Sequence, residues 1–175
     1  MNKILLKMKE ILKFLYKYFI KVYIFELKIQ KKNKIKNLNY FQLSLKDIKK
    51  EKVFENYFKK NVSKLKRFKN SKFIGIKNNK LIIASGWQTT KNINRWFIEE
   101  IDTKINVFNS VVLYDFYTNG EYRNKKYYQN LLKYIQNLNL NKKIIIYTTS
   151  GNKRSVRAIK AVNFKKKITL SKFDL

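Results

Sequence analysis

The 175-residue sequence contains no cysteine and no histidine. The first absence excludes disulfide bonds, thiolate metal sites and a cysteine nucleophile. The second removes the commonest general base and the commonest metal ligand. We therefore expect no metal site, and any proton transfer must depend on carboxylates, tyrosines or water.

The chain also lacks proline and has only four glycines, so asparagine and aspartate must form many of its turns. Its 45% content of apolar residues argues against a disordered polyelectrolyte. Its length fits one domain with a core of its own and a modest appendage.

Acidic residues are scarce as well: 11 face 41 lysines and arginines, which gives a formal net charge of +30. Such a charge is typical of proteins that bind nucleic acid, anionic lipid or phosphorylated ligands. Only five of the 41 are arginine, however, and the abundant Lys, Asn, Ile, Tyr and Phe all have A/T-rich codons. Genome composition is therefore the first explanation of the charge. The shortage of arginine argues against nucleic acid as the partner.

Residues 1–29 carry apolar side chains at helical spacing, with lysines at intervals of four on another stripe. This pattern predicts a basic amphipathic helix. Lysines interrupt every apolar run, which excludes a transmembrane helix and argues against a signal peptide. Two interpretations stay open: the apolar face packs on the domain, or it anchors the protein on anionic lipid. The apolar stripe includes Met8, Leu12, Leu15 and Phe19, and the lysines are Lys9, Lys13, Lys17 and Lys21.

A polar connector over residues 30–37 precedes the domain. Ser44 and Asp47 are spaced to cap the start of a helix, whose apolar face would run from Val53 to Leu65. The second half alternates strands with helices, which predicts an α/β sheet with a right-handed crossover. The predicted strands are 38–43, 73–77, 81–89, 96–101, 111–118, 143–148 and one or two within 164–173; the predicted helices are 127–138 and 155–162.

The stretch from Tyr114 to Tyr128 reads YDFYTNGEYRNKKYY and is followed by Leu131 and Leu132. It resembles the signature of the GNAT superfamily of N-acetyltransferases, in which a strand runs into a turn and a phosphate-binding helix start. The family pattern there is (Arg/Gln)-x-x-Gly-x-(Gly/Ala). Arg123 matches it and Lys126 replaces the central glycine. Tyr128 is similar to a variant found in GNAT-like enzymes of surface-polysaccharide clusters.

A second block, Asn152 to Ser155 followed by Asn163-Phe164, is similar to the family's Asn-x-x-Ser helix closed by Gly-Phe. Asparagine is the best substitute for glycine in a left-handed helix C-cap. A weaker third block, Asn79–Ile82 with Ser85–Trp87, is similar to the hairpin ahead of the signature. The resemblance covers about Leu38 to Phe173.

The resemblance implies an α/β domain over residues 38–175, with a mixed, partly splayed β-sheet flanked by helices, and acetyl-CoA as acyl donor. Cations at a helix start oppose the helix dipole, so Arg123, Lys125 and Lys126 favour a bound anion over the alternative of a solvated basic turn. For Asn152, a simple helix N-cap is an equally good interpretation. The donor-binding residues so implied are Leu113, Phe116, Tyr117, Thr118, Arg123, Asn124, Lys125, Lys126, Tyr127, Tyr128, Asn152 and Ser155.

The catalytic groups are less well marked. Ile159 occupies the position at which many family members carry a tyrosine acid. Asp115 and Glu100 are the candidate bases, Asp115 because it lies beside the implied donor-binding strand. Along a strand from Trp96 to Ile101, Glu99 and Glu100 would face opposite sides. A salt bridge to lysine is the alternative role of Asp115.

The function these residues favour is N-acyl transfer, most simply acetyl transfer, by direct attack in a ternary complex. The resemblance implies an amino-sugar acceptor in surface-glycan assembly and a cytoplasmic protein, peripheral to the inner face of the membrane if the first helix binds lipid. The alternatives are a catalytically inactive GNAT-like adaptor and a basic protein that binds nucleic acid or membrane.

Overall fold

The computed structural model describes residues 6–8, 11–12, 15, 19–28, 32–50, 68–79 and 81–172. The apolar helix face predicted from Val53 to Leu65 lies outside these residues. The strands are β1 (Val22–Leu27), β2 (Tyr40–Ser44), β3 (Ser71–Asn78), β4 (Leu81–Thr89), β5 (Ile93–Ile98), β6 (Thr103–Thr118), β7 (Lys143–Thr149) and β8 (Lys165–Leu170). The helices are α1 (Leu45–Lys50), α2 (Tyr127–Leu138) and α3 (Lys153–Lys160), with a 3-10 turn at Gly120–Tyr122.

These strands form one mixed sheet in the order β2-β3-β4-β6-β7-β1-β8, and β5 pairs with β6 outside this path. All neighbours are antiparallel except β6 and β7, which α2 connects as a parallel pair. The predicted mixed α/β architecture is therefore confirmed.

Local sequence signals placed several elements correctly. Asn79 makes the turn between β3 and β4 with a φ of 51°, as expected of one of the few residues at ease there. The hydroxyl of Ser44 accepts a hydrogen bond from the Asp47 N–H at 3.2 Å, and the Asp47 carboxylate accepts one from the Ser44 N–H at 3.0 Å. This reciprocal pair is the capping box that the sequence predicts at the start of α1.

The parallel pair β6–β7 opens along its length. Its register runs from Ser110 opposite Lys143 to Leu113 opposite Ile146. Beyond that point both strands continue, β6 to Thr118 and β7 to Thr149, without pairing to each other. The predicted splay of the sheet is confirmed at this end.

A β-bulge lies in β6 at the point of separation. On the neighbouring strand β4, Trp87 is opposite Tyr114 and Ser85 is opposite Tyr117, so Asp115 and Phe116 together face Gly86. Asp115 has a φ of 51°. A bulge is defined by two residues opposite one, the first of them with a non-extended backbone conformation. It redirects the strand and the side chains after it.

The helix predicted over residues 1–29 is wrong in its last part, because Val22–Leu27 forms β1, between β7 and β8. Val22 and Phe25 are fully buried there. The segment Val-Tyr-Ile-Phe consists of β-branched and aromatic residues, which favour a pleated, buried strand over a helix. The sheet thus extends across the predicted boundaries at residues 29 and 38, and β8 is the one described strand in the predicted region 164–173.

Glu26 ties β1 to its neighbours. Its carboxylate accepts a hydrogen bond from Lys167 Nζ at 2.8 Å and lies 3.6 Å from Lys143 Nζ. Burial alone would raise the pKa of Glu26, but the hydrogen bond from Lys167 and the nearby lysine charges outweigh it and hold the pKa below its usual range. The group is therefore ionised at neutral pH and clamps β1 from both sides.

The core consists of two clusters, one on each face of the sheet. Side chains alternate between them, so Leu113 and Ile146 face α2 and α3, whereas Tyr114 and Tyr147 face the side of α1. Ile159 of α3 is fully buried in the first cluster. The sheet is therefore covered on both faces, and its open end is the place where β6 and β7 separate.

Before β1, the described residues of the N-terminal segment are helical up to Phe19. The apolar stripe is exposed to solvent: Leu15 is 45% exposed, Leu12 61% and Phe19 73%. The interpretation in which this face packs on the domain is not supported by these residues. Within the described residues, no helix combines the length and apolarity that crossing a membrane requires.

Candidate functional site

A cleft of about 630 Å³ opens where β6 and β7 separate. Three segments line it: the end of β6, the following turn with the first residues of α2, and α3 with its N-cap residue. The structure thus brings together the two sequence blocks that carried the resemblance. The lining residues are Phe116, Tyr117, Thr118, Tyr122, Arg123, Asn124, Lys126, Tyr127, Tyr128, Gln129, Asn152, Arg154, Ser155, Arg157 and Ala158.

The turn after β6 is fixed by backbone hydrogen bonds. The Asn119 N–H donates to the Ile83 carbonyl at 2.9 Å, and the Tyr122 N–H donates to the Asn119 carbonyl at 3.0 Å. Arg123 then reaches back, and its Nε donates to the Thr118 carbonyl at 3.3 Å. This contact holds the guanidinium beside the cleft and leaves its remaining donors for a ligand.

Lys126 is the N-cap residue of α2 and lies in the left-handed region, with φ 61° and ψ 11°. Glycine adopts this conformation without cost, whereas a residue with a Cβ is strained in it. Its side chain makes no capping hydrogen bond to α2. The N–H groups of the first turn of α2 therefore lack a side-chain cap and are suited to an anion.

Asn152 is the N-cap of α3. Its side-chain oxygen accepts a hydrogen bond from the Ser155 N–H at 3.1 Å, so the capping interpretation is the one the geometry displays. Both residues also line the cleft, where the Asn152 amide group and the Ser155 hydroxyl remain polar contacts for a ligand.

The charged side chains that line the cleft are all positive. Arg123, Lys126, Arg154 and Arg157 line it, and its described lining contains no carboxylate. Three of the five arginines of the chain thus meet at one site. Sequence reasoning missed Arg154 and Arg157, although their rarity among 41 basic residues was a usable signal.

Aromatic side chains form the apolar wall. The Phe116 ring lies 5.3 Å from the Tyr128 ring, centroid to centroid, at an angle of 51°. Burial raises the pKa of Tyr128, so its hydroxyl stays protonated at any physiological pH. The Tyr122 and Tyr127 rings meet edge to face at 5.7 Å.

Two of the predicted donor-binding residues do not line the cleft. Leu113 is fully buried in the core and lies between Gln88 of β4 and Ile146 of β7, below the point of separation. Lys125 is exposed, and its Nζ lies 5.5 Å from the centroid of the Tyr122 ring. The other ten predicted residues line it.

The candidate acids are dispersed. Asp115 occupies the bulge at the mouth of the splay but is not a lining residue. The predicted strand 96–101 is wrong at its end: β5 stops at Ile98, and Glu99 and Glu100 lie in the turn before β6. The predicted alternation of these two glutamates is therefore absent, and neither lines the cleft. Ile159, at the place of the family's tyrosine acid, is fully buried.

No protein-family profile matches the sequence, and no curated protein matches it. Solved structures do match in fold. A GNAT-family protein of Novosphingobium aromaticivorans has a TM-score of 0.56 and 9% identity, with 86% of this chain and 61% of the other covered. A GNAT-family acetyltransferase of Colwellia psychrerythraea has a TM-score of 0.53 and 12% identity over 84% and 53%.

A GCN5-related N-acetyltransferase of Sphaerobacter thermophilus also has a TM-score of 0.53, at 7% identity over 96% of this chain and 54% of the other. The chain therefore has the fold of GNAT-family acetyltransferases. It spans between about half and two thirds of the length of these neighbours.

Proposed function

We propose that this protein transfers an acyl group, most simply acetyl, from acyl-CoA to an amine. The observation that supports this most is the cleft at the separated ends of β6 and β7, where four cationic side chains and an uncapped helix start converge. Such an arrangement suits the phosphate groups of CoA. Beyond Leu113, β6 stays paired with β4 but no longer with β7, and this edge toward β7 suits the amide groups of the pantetheine arm.

Acyl transfer would proceed by direct attack. The amine nitrogen bonds to the thioester carbonyl carbon, the carbon–sulfur bond breaks, the nitrogen loses a proton and the thiolate gains one. The chain has no cysteine or histidine to carry the acyl group. We assign proton removal to a carboxylate, with Asp115 ahead of Glu100 because Asp115 lies at the mouth of the splay.

For the acceptor we propose an amino sugar, free or nucleotide-linked, in surface-glycan assembly. The support is the tyrosine at position 128, which resembles the variant of GNAT-like enzymes from polysaccharide clusters. We place the protein in the cytoplasm.

We further propose that the N-terminal helix contacts the anionic inner face of the membrane. Its apolar stripe is exposed. The Lys21 carbonyl, just before β1, accepts a hydrogen bond from the Ser150 N–H at 2.7 Å, so the segment leaves the domain near the start of α3.

The experiment that tests the function is mass spectrometry of products formed from acetyl-CoA and a panel of amino sugars and amino-sugar nucleotides. A mass gain of one acetyl group on one of these acceptors, with release of CoA, is the expected result. Acetylation of none of them, by protein that binds acetyl-CoA, would contradict the acceptor class.

A second candidate, a catalytically inactive acyl-CoA-binding adaptor, is favoured by the buried isoleucine at position 159. It predicts binding of acetyl-CoA without turnover towards amino sugars, other amines or water. Release of CoA that depends on an amine would exclude it.

A further inference from the structure

We infer that Arg154 and Arg157 form a separate phosphate site, which holds the 3′-phosphate of CoA and makes the cleft selective for CoA over dephospho-CoA. This inference rests on the proposed function, since it names the part of the same ligand that the two arginines recognise.

The first support is their placement. The two residues are three positions apart on α3, so they share one side of the helix. Ile159 anchors the opposite side in the core. Both arginines line the cleft, across from the turn that carries Arg123 and Lys126. The packing of α3 therefore turns this side of the helix, with its two exposed arginines, toward the cleft.

The second support is that the described residues do not neutralise the positive charges of Arg154 and Arg157. Among the residues that the structure describes, neither guanidinium has a hydrogen bond or an ion pair. Two like charges at this spacing repel each other, and Arg154 lies in the first helical turn, where a cation opposes the dipole. An anion in the cleft removes both penalties. The codon composition that accounts for the many lysines does not account for arginines gathered here.

The third support is the match of charges. A diphosphate carries two negative charges, which Arg123, Lys126 and the N–H groups of α2 can satisfy. Arg154 and Arg157 then remain for another dianion. A phosphomonoester carries close to two negative charges at neutral pH. Guanidinium forks bind such a group through paired hydrogen bonds, which lysine cannot do.

The test is calorimetric titration of the full chain with CoA and with dephospho-CoA. The wild-type protein is expected to bind CoA about tenfold more tightly or better, the scale of a lost charge-assisted contact. The double variant Arg154→Gln/Arg157→Gln should lose most of this preference and keep the wild-type affinity for dephospho-CoA. The control is Lys153→Gln/Lys160→Gln, which removes the same charge from the same helix outside the cleft and should keep the preference.

The possible results separate the two proposals. Equal binding of both ligands by the wild-type protein would overturn the phosphate site and leave acyl-CoA binding intact, whereas binding of neither would overturn both. A preference retained in the double variant would also overturn the site. If the double variant is unfolded by circular dichroism, Arg154→Lys/Arg157→Lys replaces it. That variant keeps the charge but loses the fork, and we expect a reduced preference; an unreduced one counts against the paired hydrogen bonds.

Discussion

The ring of Phe116 lies directly against the backbone of Gly86, so closely that a Cβ on Gly86 would overlap three of the ring carbons. Gly86 is the single residue that faces the bulge of β6. The Phe116 ring also meets the Tyr128 ring in the cleft wall. The width of the cleft therefore depends on the absence of one methyl group in β4.

We predict that Gly86→Ala moves Phe116 toward Tyr128 and weakens CoA binding. Overpacking of a tight core contact costs about 1–3 kcal/mol. Here part of this cost should appear as weaker CoA binding, because the displaced ring lines the cleft. Gly75→Ala is the matched control, because its Cβ would meet Phe41 and the Ala84 carbonyl away from the cleft. Both variants should lower the thermal midpoint, but only Gly86→Ala should lower CoA affinity in calorimetry. Equal affinities in the two would contradict the role of Phe116.

Arg123→Glu should weaken acetyl-CoA binding by ~1.5–3 kcal/mol, the scale of a charge-assisted hydrogen bond. Lys125→Glu makes the same charge change two residues away, but Lys125 does not line the cleft, so its effect should be much smaller. Titration calorimetry of both variants at one salt concentration makes the comparison. Similar losses would indicate general attraction by a basic surface.

Lys126→Gly should raise the free energy of unfolding. A non-glycine residue in the left-handed conformation carries a strain of about 1–2 kcal/mol, which glycine does not. Part of this gain is lost because glycine is more flexible in the unfolded chain. Lys126→Asn removes the same charge and tolerates this conformation, so it serves as the control in urea unfolding. A destabilised Lys126→Gly would mean that the flexibility of glycine in the unfolded chain outweighs the strain relieved at this N-cap.

Asp115→Asn should lower kcat by ~10²-fold or more if Asp115 is the base. Asparagine tolerates a positive φ as well as aspartate does, so the thermal midpoint should change little. The wild-type rate should rise with pH toward the pKa of the acceptor amine, because only the neutral amine attacks. If this variant keeps its kcat and Glu100→Gln loses it, Glu100 is the base. An isolable acyl-enzyme would contradict direct transfer.

Removing residues 1–20 should leave a folded domain, whereas removing residues 1–29 should not, because only the second truncation deletes β1 from the sheet. Circular dichroism and thermal unfolding distinguish them. The shorter truncation should also abolish co-sedimentation with anionic liposomes at physiological salt. Continued sedimentation would place the lipid contact on the domain itself. Binding to neutral liposomes as strong as to anionic ones would argue against a role for the lysines.

The parts of the molecule that sequence predicted are those fixed by local chemistry. The cap pairs Ser44–Asp47 and Asn152–Ser155 each lie within four residues, and the periodicity of α2 is carried within the helix itself. The turn from Arg123 to Lys126 is likewise a local motif. These local signals were enough to identify both blocks, which the fold brings together in one cleft.

The parts that sequence missed depend on distant partners. The residues of Val22–Leu27 favour a strand, but the strands that pair with it come more than a hundred residues later in the chain. The bulge at Asp115 is visible only in the register with β4. Likewise, Arg154 and Arg157 face the cleft because Ile159, on the other side of α3, is buried against distant parts of the chain.

The position of β1 has a consequence for the way the protein is made. A ribosome releases Val22–Leu27 long before β7 and β8, the two strands between which β1 must insert. Contacts so far apart in sequence slow folding, since the loop must close before they form. Until then, Val22 and Phe25, which are fully buried in the folded protein, are exposed to solvent, and both edges of the strand are unpaired. During synthesis the nascent chain should therefore be a client of chaperones, and it should reach its protease-resistant state only after Leu170 has left the ribosome.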